Sequence, residues 1–185
     1  MAEFLLALVA VFAVSLGGRD QLLVARLADR LGRSGGLLAT GAVASSVSAI
    51  AMAAAGLTMA LVLPPAAADM LVAFALVFAA IELAWQFRSR LPEEPTASLF
   101  ATFLVLVIRQ LGDAARFCVF ALAAGGSAWL VAGGGAMGGT AALALGIVMG
   151  TELSAWPLRA VRFALAAVLF VAGIALALAV RGIIG

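Results

Sequence analysis

The stretch SLGGRDQ, Ser15 to Gln21, decides how this chain is read. It continues an apolar run from Phe4 to Val14 and leads into Leu22 to Val24, so one membrane-length helix through it carries Arg19 and Asp20 in its interior. A charged side chain at the centre of a bilayer costs at least about 2.5–3.5 kcal/mol, so it faces a protein interior, finds a partner or marks a pathway.

Composition establishes that the surroundings are a membrane. Of 185 residues 66% are hydrophobic and 11% charged, with a mean hydropathy of +1.24, well outside the soluble norm. The net charge of +2 rests on arginine alone, because lysine and histidine are absent. Arginines grouped between apolar runs set topology and are no footprint for nucleic acid. Without histidine no Ser/His/Asp set or haem ligand pair can be built, which excludes the usual hydrolases and redox enzymes, and the chain reads as no enzyme. The single Cys118 lies in an apolar run, permits neither an internal disulfide nor a zinc site, and is expected as a small buried hydrophobe.

A bilayer core takes about 20 apolar residues per helix. That length predicts an all-α membrane protein of six spans, near 3–25, 36–62, 66–87, 97–123, 127–150 and 160–181. Pro64 and Pro65, the segment from Arg88 to Pro95, and Trp156-Pro157 separate them. Three-helix halves at 1–87 and 97–185 flank a cytoplasmic linker at 88–96. Glu3 and the absence of an early arginine argue against a cleaved signal peptide. Arg26, Arg30, Arg33, Arg88, Arg90, Arg159 and Arg162 fall on one side of the six spans and Arg181 on the other, which predicts both termini outside. Trp85 and Trp156 then mark the cytoplasmic interface and Trp129 the outer one.

The chain reads twice. SLGGRDQ can be laid over QLGDAAR, Gln110 to Arg116, and the next spans also correspond, Thr40–Gly56 with Gly134–Gly150. Three spans per half turn the second copy upside down, giving two inverted-topology three-helix repeats with a site where they meet. Gly41, Ser45 and Ser48, with Gly134, Gly135, Gly138 and Gly139, are read as small residues for close helix packing.

These motifs resemble the E-x-G-D-[KR]-[TS] pair of the Golgi-type manganese and calcium exchangers, a family that includes bacterial manganese exporters. Trp156 to Leu178 is similar to the family's last helix. The resemblance implies carboxylates that bind manganese or calcium and exchange it for protons, and a bacterial inner-membrane setting. Ser15 stands in place of the family's Glu, Gly17 matches, Gly18 replaces Asp, Arg19 matches and Asp20 replaces the hydroxyl. In the second copy Gln110 replaces Glu, Gly112 and Asp113 match, and Ala114 and Ala115 replace the basic and hydroxyl residues.

The expected ion or proton pathway is therefore Asp113, Gln110, Ser15, Gly17 and Gly112, with Asp113 the candidate metal ligand and Glu82 a further pathway residue. Arg19, Asp20, Arg109 and Arg116 form an intramembrane charge network. On continuous helices Asp20 points away from Ser15, Gly18 and Arg19, while Asp113 can pair with Arg109 and Arg116. Asp113 is open to three readings: paired with its arginines, a remnant ion site, or neighbour to an anion or zwitterion site. The corresponding functions are divalent cation export by proton exchange, a non-transporting structural or regulatory subunit, and export of a small zwitterion. Partners are the lipid bilayer and the transported ion, with no cofactor and no nucleic acid; a homodimer completing the site is left open.

Overall fold

The computed structural model describes residues 1–32, 35–85 and 98–183; the predicted linker, with Arg88, Arg90, Glu93 and Glu94, and also Arg33, lie outside them. The described residues form an all-helical molecule, without strands. The helices are α1 (Ala2–Ser15), α2 (Arg19–Leu31), α3 (Gly35–Val62), α4 (Pro65–Ala84), α5 (Leu99–Leu111), α6 (Ala114–Gly125), α7 (Ala128–Met149) and α8 (Leu158–Val180), with a 3-10 turn at Gly150–Ala155.

Four of these, α3, α4, α7 and α8, are long and apolar enough to cross a membrane. The first predicted span is not one rod: α1 and α2 meet at 68° across a short break, and count as a fifth crossing only if taken together. The fourth predicted span is likewise two short apolar helices, α5 and α6. Both interruptions fall on the repeated motif. The first runs through Leu16 to Gly18, where Gly17 has φ of +68°, a left-handed turn that glycine enters without a Cβ penalty. The second is at Gly112 and Asp113, where an Asp stands at a position favoured for starting a helix.

Small residues let the helices close around these breaks. α7 is the central element, packing on α1, α3 and α2, while α4 lies along α8. A Cβ on Gly134 would meet the Phe4 carbonyl, one on Gly138 the Leu8 carbonyl, and one on Gly56 the Phe120 carbonyl, so all three are backbone-to-backbone crossings. The Glu3 carboxylate also accepts from the Ser127 amide at 2.7 Å, tying the start of α1 to the start of α7.

The apolar core is divided in two. One cluster gathers Ala7, Val11, Val14, Ala53, Cys118, Val119, Val131 and Ala132 from α1, α3, α6 and α7. The other gathers Val24, Leu27, Leu37, Ala44, Leu106, Leu143 and Ile147 from α2, α3, α5 and α7. Along α3 and α7 the stretch between the clusters includes Ser45, Ser48 and Gly139, next to the cavity that both breaks line. A polar layer thus separates two dry ones. Outward-facing side chains such as Ile50, Phe74, Phe78, Val168 and Val171 are apolar and exposed, as lipid-facing surface requires.

Candidate functional site: the crossing of the two broken helices

The two breaks enclose a cavity of about 20 Å³, room for roughly one water-sized occupant. Ser15, Gly18, Asp20, Gln21, Gln110, Asp113, Arg116, Gly139, Ala142 and Leu143 line it. The fold therefore brings Ser15, Gln110 and Asp113 together, with Gly17 and Gly112 in the turns beside them. Asp20 joins them, contrary to the expectation that it points away. That expectation assumed 3.6 residues per turn through Ser15 to Asp20, and the break at Leu16 to Gly18 restarts the helix on a new axis.

Arg116 is the largest fully buried side chain, 2% exposed. Its Nε donates to Ser48 Oγ at 2.8 Å, and its Nη2 donates to Gln110 Oε1 at 3.0 Å and to the Ser45 carbonyl at 3.2 Å. Ser48 Oγ lies 2.6 Å from Gln110 Oε1, which closes the network. Gln21 does the same work in the first half. Its Nε2 donates to the Ala142 carbonyl at 2.7 Å, while its Oε1 accepts from the Gly17 amide at 2.7 Å and so holds the turn.

The acids find partners across helices. Asp20 on α2 meets Arg109 on α5, Nε to Oδ1 at 2.9 Å, yet neither of its buried oxygens has an aligned hydrogen-bond donor among the described residues. Glu82 on α4 is bridged by Arg19 at 3.3 Å and by Arg162 at 3.7 Å. Asp113 at the start of α6 lies close to Glu82 on the neighbouring α4, so the two acids share one site. The break at Gly112 leaves Arg109 on α5, where it meets Asp20, whereas Asp113 stays at the start of α6 within electrostatic reach of Arg116 in the next turn. Arg162, expected in a connection, is buried against α4, since α8 has already begun at Leu158.

Among the described residues four guanidinium groups (Arg19, Arg109, Arg116, Arg162) and three carboxyls (Asp20, Glu82, Asp113) make up this charge network, of which Asp20, Asp113 and Arg116 line the cavity. Among the described residues no three of His, Cys, Asp and Glu converge as a ready metal site. The neutral oxygens of Ser15, Gln110 and Gln21 would have to complete any cation shell with Asp20 and Asp113.

Ser45, Ser48, Gln21, Gly139 and Arg162 are the site residues that sequence reasoning missed. The signal for the first two was present: a pair of hydroxyls three residues apart on a helix otherwise rich in alanine. Comparison with protein-family models, with curated proteins and with solved structures finds no match to this chain.

Proposed function

We propose that the protein is a proton-coupled membrane transporter that exchanges a cation at the crossing of its two broken helices. The observation that carries this reading is the coincidence of both copies of the motif with a helix break, the two breaks facing one buried cavity that holds two carboxyl groups. Broken helices at the contact of inverted repeats are where secondary transporters hold their substrates. Hydrogen bonding supports the repeat as well. Aligning Thr40 with Gly134 puts Ser45 opposite Gly139 and Ser48 opposite Ala142, so Arg116 on α3 mirrors Gln21 on α7.

Six crossings in two inverted halves, both termini on the periplasmic side of a bacterial inner membrane, and manganese or calcium as the exported ion complete the proposal, the last two resting on the family resemblance. Asp113 and Asp20 are its ion ligands, and the Asp113–Glu82 pair its proton carrier. With four guanidinium groups against three carboxyls, a divalent ion competes with the ion pairs, so binding requires Asp20 to release Arg109.

Manganese and calcium flux into proteoliposomes under an imposed pH gradient tests this. Wild-type flux that Asp113→Asn abolishes supports it; no flux above empty liposomes from folded protein would overturn it. The excess of guanidinium over carboxyl favours a second reading, a subunit that keeps the fold without transport, and that reading predicts the second result.

A further inference from the structure

Arg116 has no counterpart in the first half. At the matching place stands Gln21, a neutral side chain, and the two halves otherwise treat these positions alike: each reaches the facing helix of the other half and each lines the same cavity. The Arg116 guanidinium is held by three oxygens, one hydroxyl, one carbonyl and one amide, and among the described residues no carboxylate is a hydrogen-bond partner. Hydroxyl, carbonyl and amide oxygens are among the donors that hard metal ions also take, alongside carboxylates such as those of Asp20 and Asp113 nearby. Space has been left for the guanidinium, because a Cβ on Gly139 would sit 3.1 Å from Arg116 Nη2 and 2.8 Å from Ser45 Oγ.

We infer that the Arg116 guanidinium is a built-in cation that fills the oxygen site formed by Ser45, Ser48 and Gln110, leaving the carboxyls of Asp20 and Asp113 beside it for exchange. Resting on the cation-exchange reading above, this assigns Arg116 as the residue that sets how many charges the site accepts. Its substitution by glutamine makes the second half like the first. The freed oxygens of Ser48, Ser45 and Gln110 then become ligands, and a unit of repulsion between Arg116 and an incoming divalent ion is removed.

The test is manganese binding to the purified protein in detergent, read from the electron paramagnetic resonance signal of free Mn²⁺ and from the ion's effect on the melting temperature. Arg116→Gln is expected to bind Mn²⁺ about tenfold or more tightly than wild type, as the loss of a nearby like charge dictates. Adding Asp113→Asn should cancel the gain, and Arg116→Lys, which keeps the charge but not the fork, should show none. Equal binding by wild type and Arg116→Gln, or a gain in Arg116→Lys as large as in Arg116→Gln, would overturn the inference. Should Arg116→Gln fail to fold alone, recovery of monodisperse protein with millimolar Mn²⁺ or guanidinium supports the built-in cation, and failure to recover with either overturns it. Binding is read without transport. A wild type that carries no flux therefore sinks only the transport reading, and flux with unaltered Arg116→Gln binding sinks only this one.

Discussion

Ser48 holds the most consequential hydroxyl in the molecule, because it is fully buried between Arg116 and Gln110. Ser48→Ala leaves Arg116 Nε without its acceptor in a site closed to water, at a cost of about 1–3 kcal/mol. A fall of several degrees in melting temperature, measured in detergent, is expected, with Ser48→Thr closer to wild type. For Asp20 and Arg109 a double-mutant cycle of Asp20→Asn and Arg109→Gln should return a coupling of about 0.5–3 kcal/mol; additive effects would show that the 2.9 Å approach carries no energy. The sequence displayed most of these residues, since Arg19, Asp20, Arg109, Asp113 and Arg116 stand out as charges in apolar runs. Their partners were not legible. Periodicity assigns a side chain to a face only while the helix continues, and at Asp20 and Asp113 it does not.

The breaks offer a test at the scale of the element. Gly17 and Gly112 occupy the same place in the two motifs, yet their backbones differ. Gly17 is left-handed, and a Cβ there would lie 2.9 Å from Leu158 Cβ, whereas Gly112 has φ of −101° with open space around it. Gly17→Ala should therefore destabilise by about 1–2 kcal/mol or more, while Gly112→Ala should stay within about 0.5 kcal/mol. Equal melting temperatures for the two would refute the difference between the turns. Gly56→Ala should also cost about 1–3 kcal/mol, because the Phe120 carbonyl it would strike belongs to backbone and cannot swing aside. Glycine-rich composition announced close packing of α3 and α7. Which backbone each glycine admits was hidden, because that depends on how α1 and α6 turn at their breaks.

For the whole molecule, the proposed six crossings make a prediction about sidedness. In a Cys118→Ala background, cysteines at the exposed positions Ala2 and Arg181 should react with an impermeant thiol reagent from one side of the membrane, and one at Arg26 from the other. Labelling of Ala2 and Arg26 from the same side would show that α1 and α2 do not cross together. Membrane character was fully legible from composition, and the limits of α3, α4, α7 and α8 fall close to those expected. A hydropathy window cannot separate one long helix from two short ones, which is why the first and fourth spans were read as unbroken.

The shortness of the broken pieces bears on how the protein is made. α1 has 14 residues, a length of about 21 Å, less than the roughly 30 Å of a bilayer core. Its main partner, α7, emerges from the ribosome more than a hundred residues later, and α5 rests on α3 from the other half. Alone at the translocon the first half cannot pair Asp20, and the second can pair neither Arg109 nor Arg162 with the acids they meet in the folded molecule. Arg19 awaits Glu82, and Asp20 awaits Arg109, so insertion of the first segment is completed only when the last ones arrive. Chains ending before α7 should accordingly leave α1 unseated and be cleared by membrane proteases, a biosynthetic dependence of the beginning on the end.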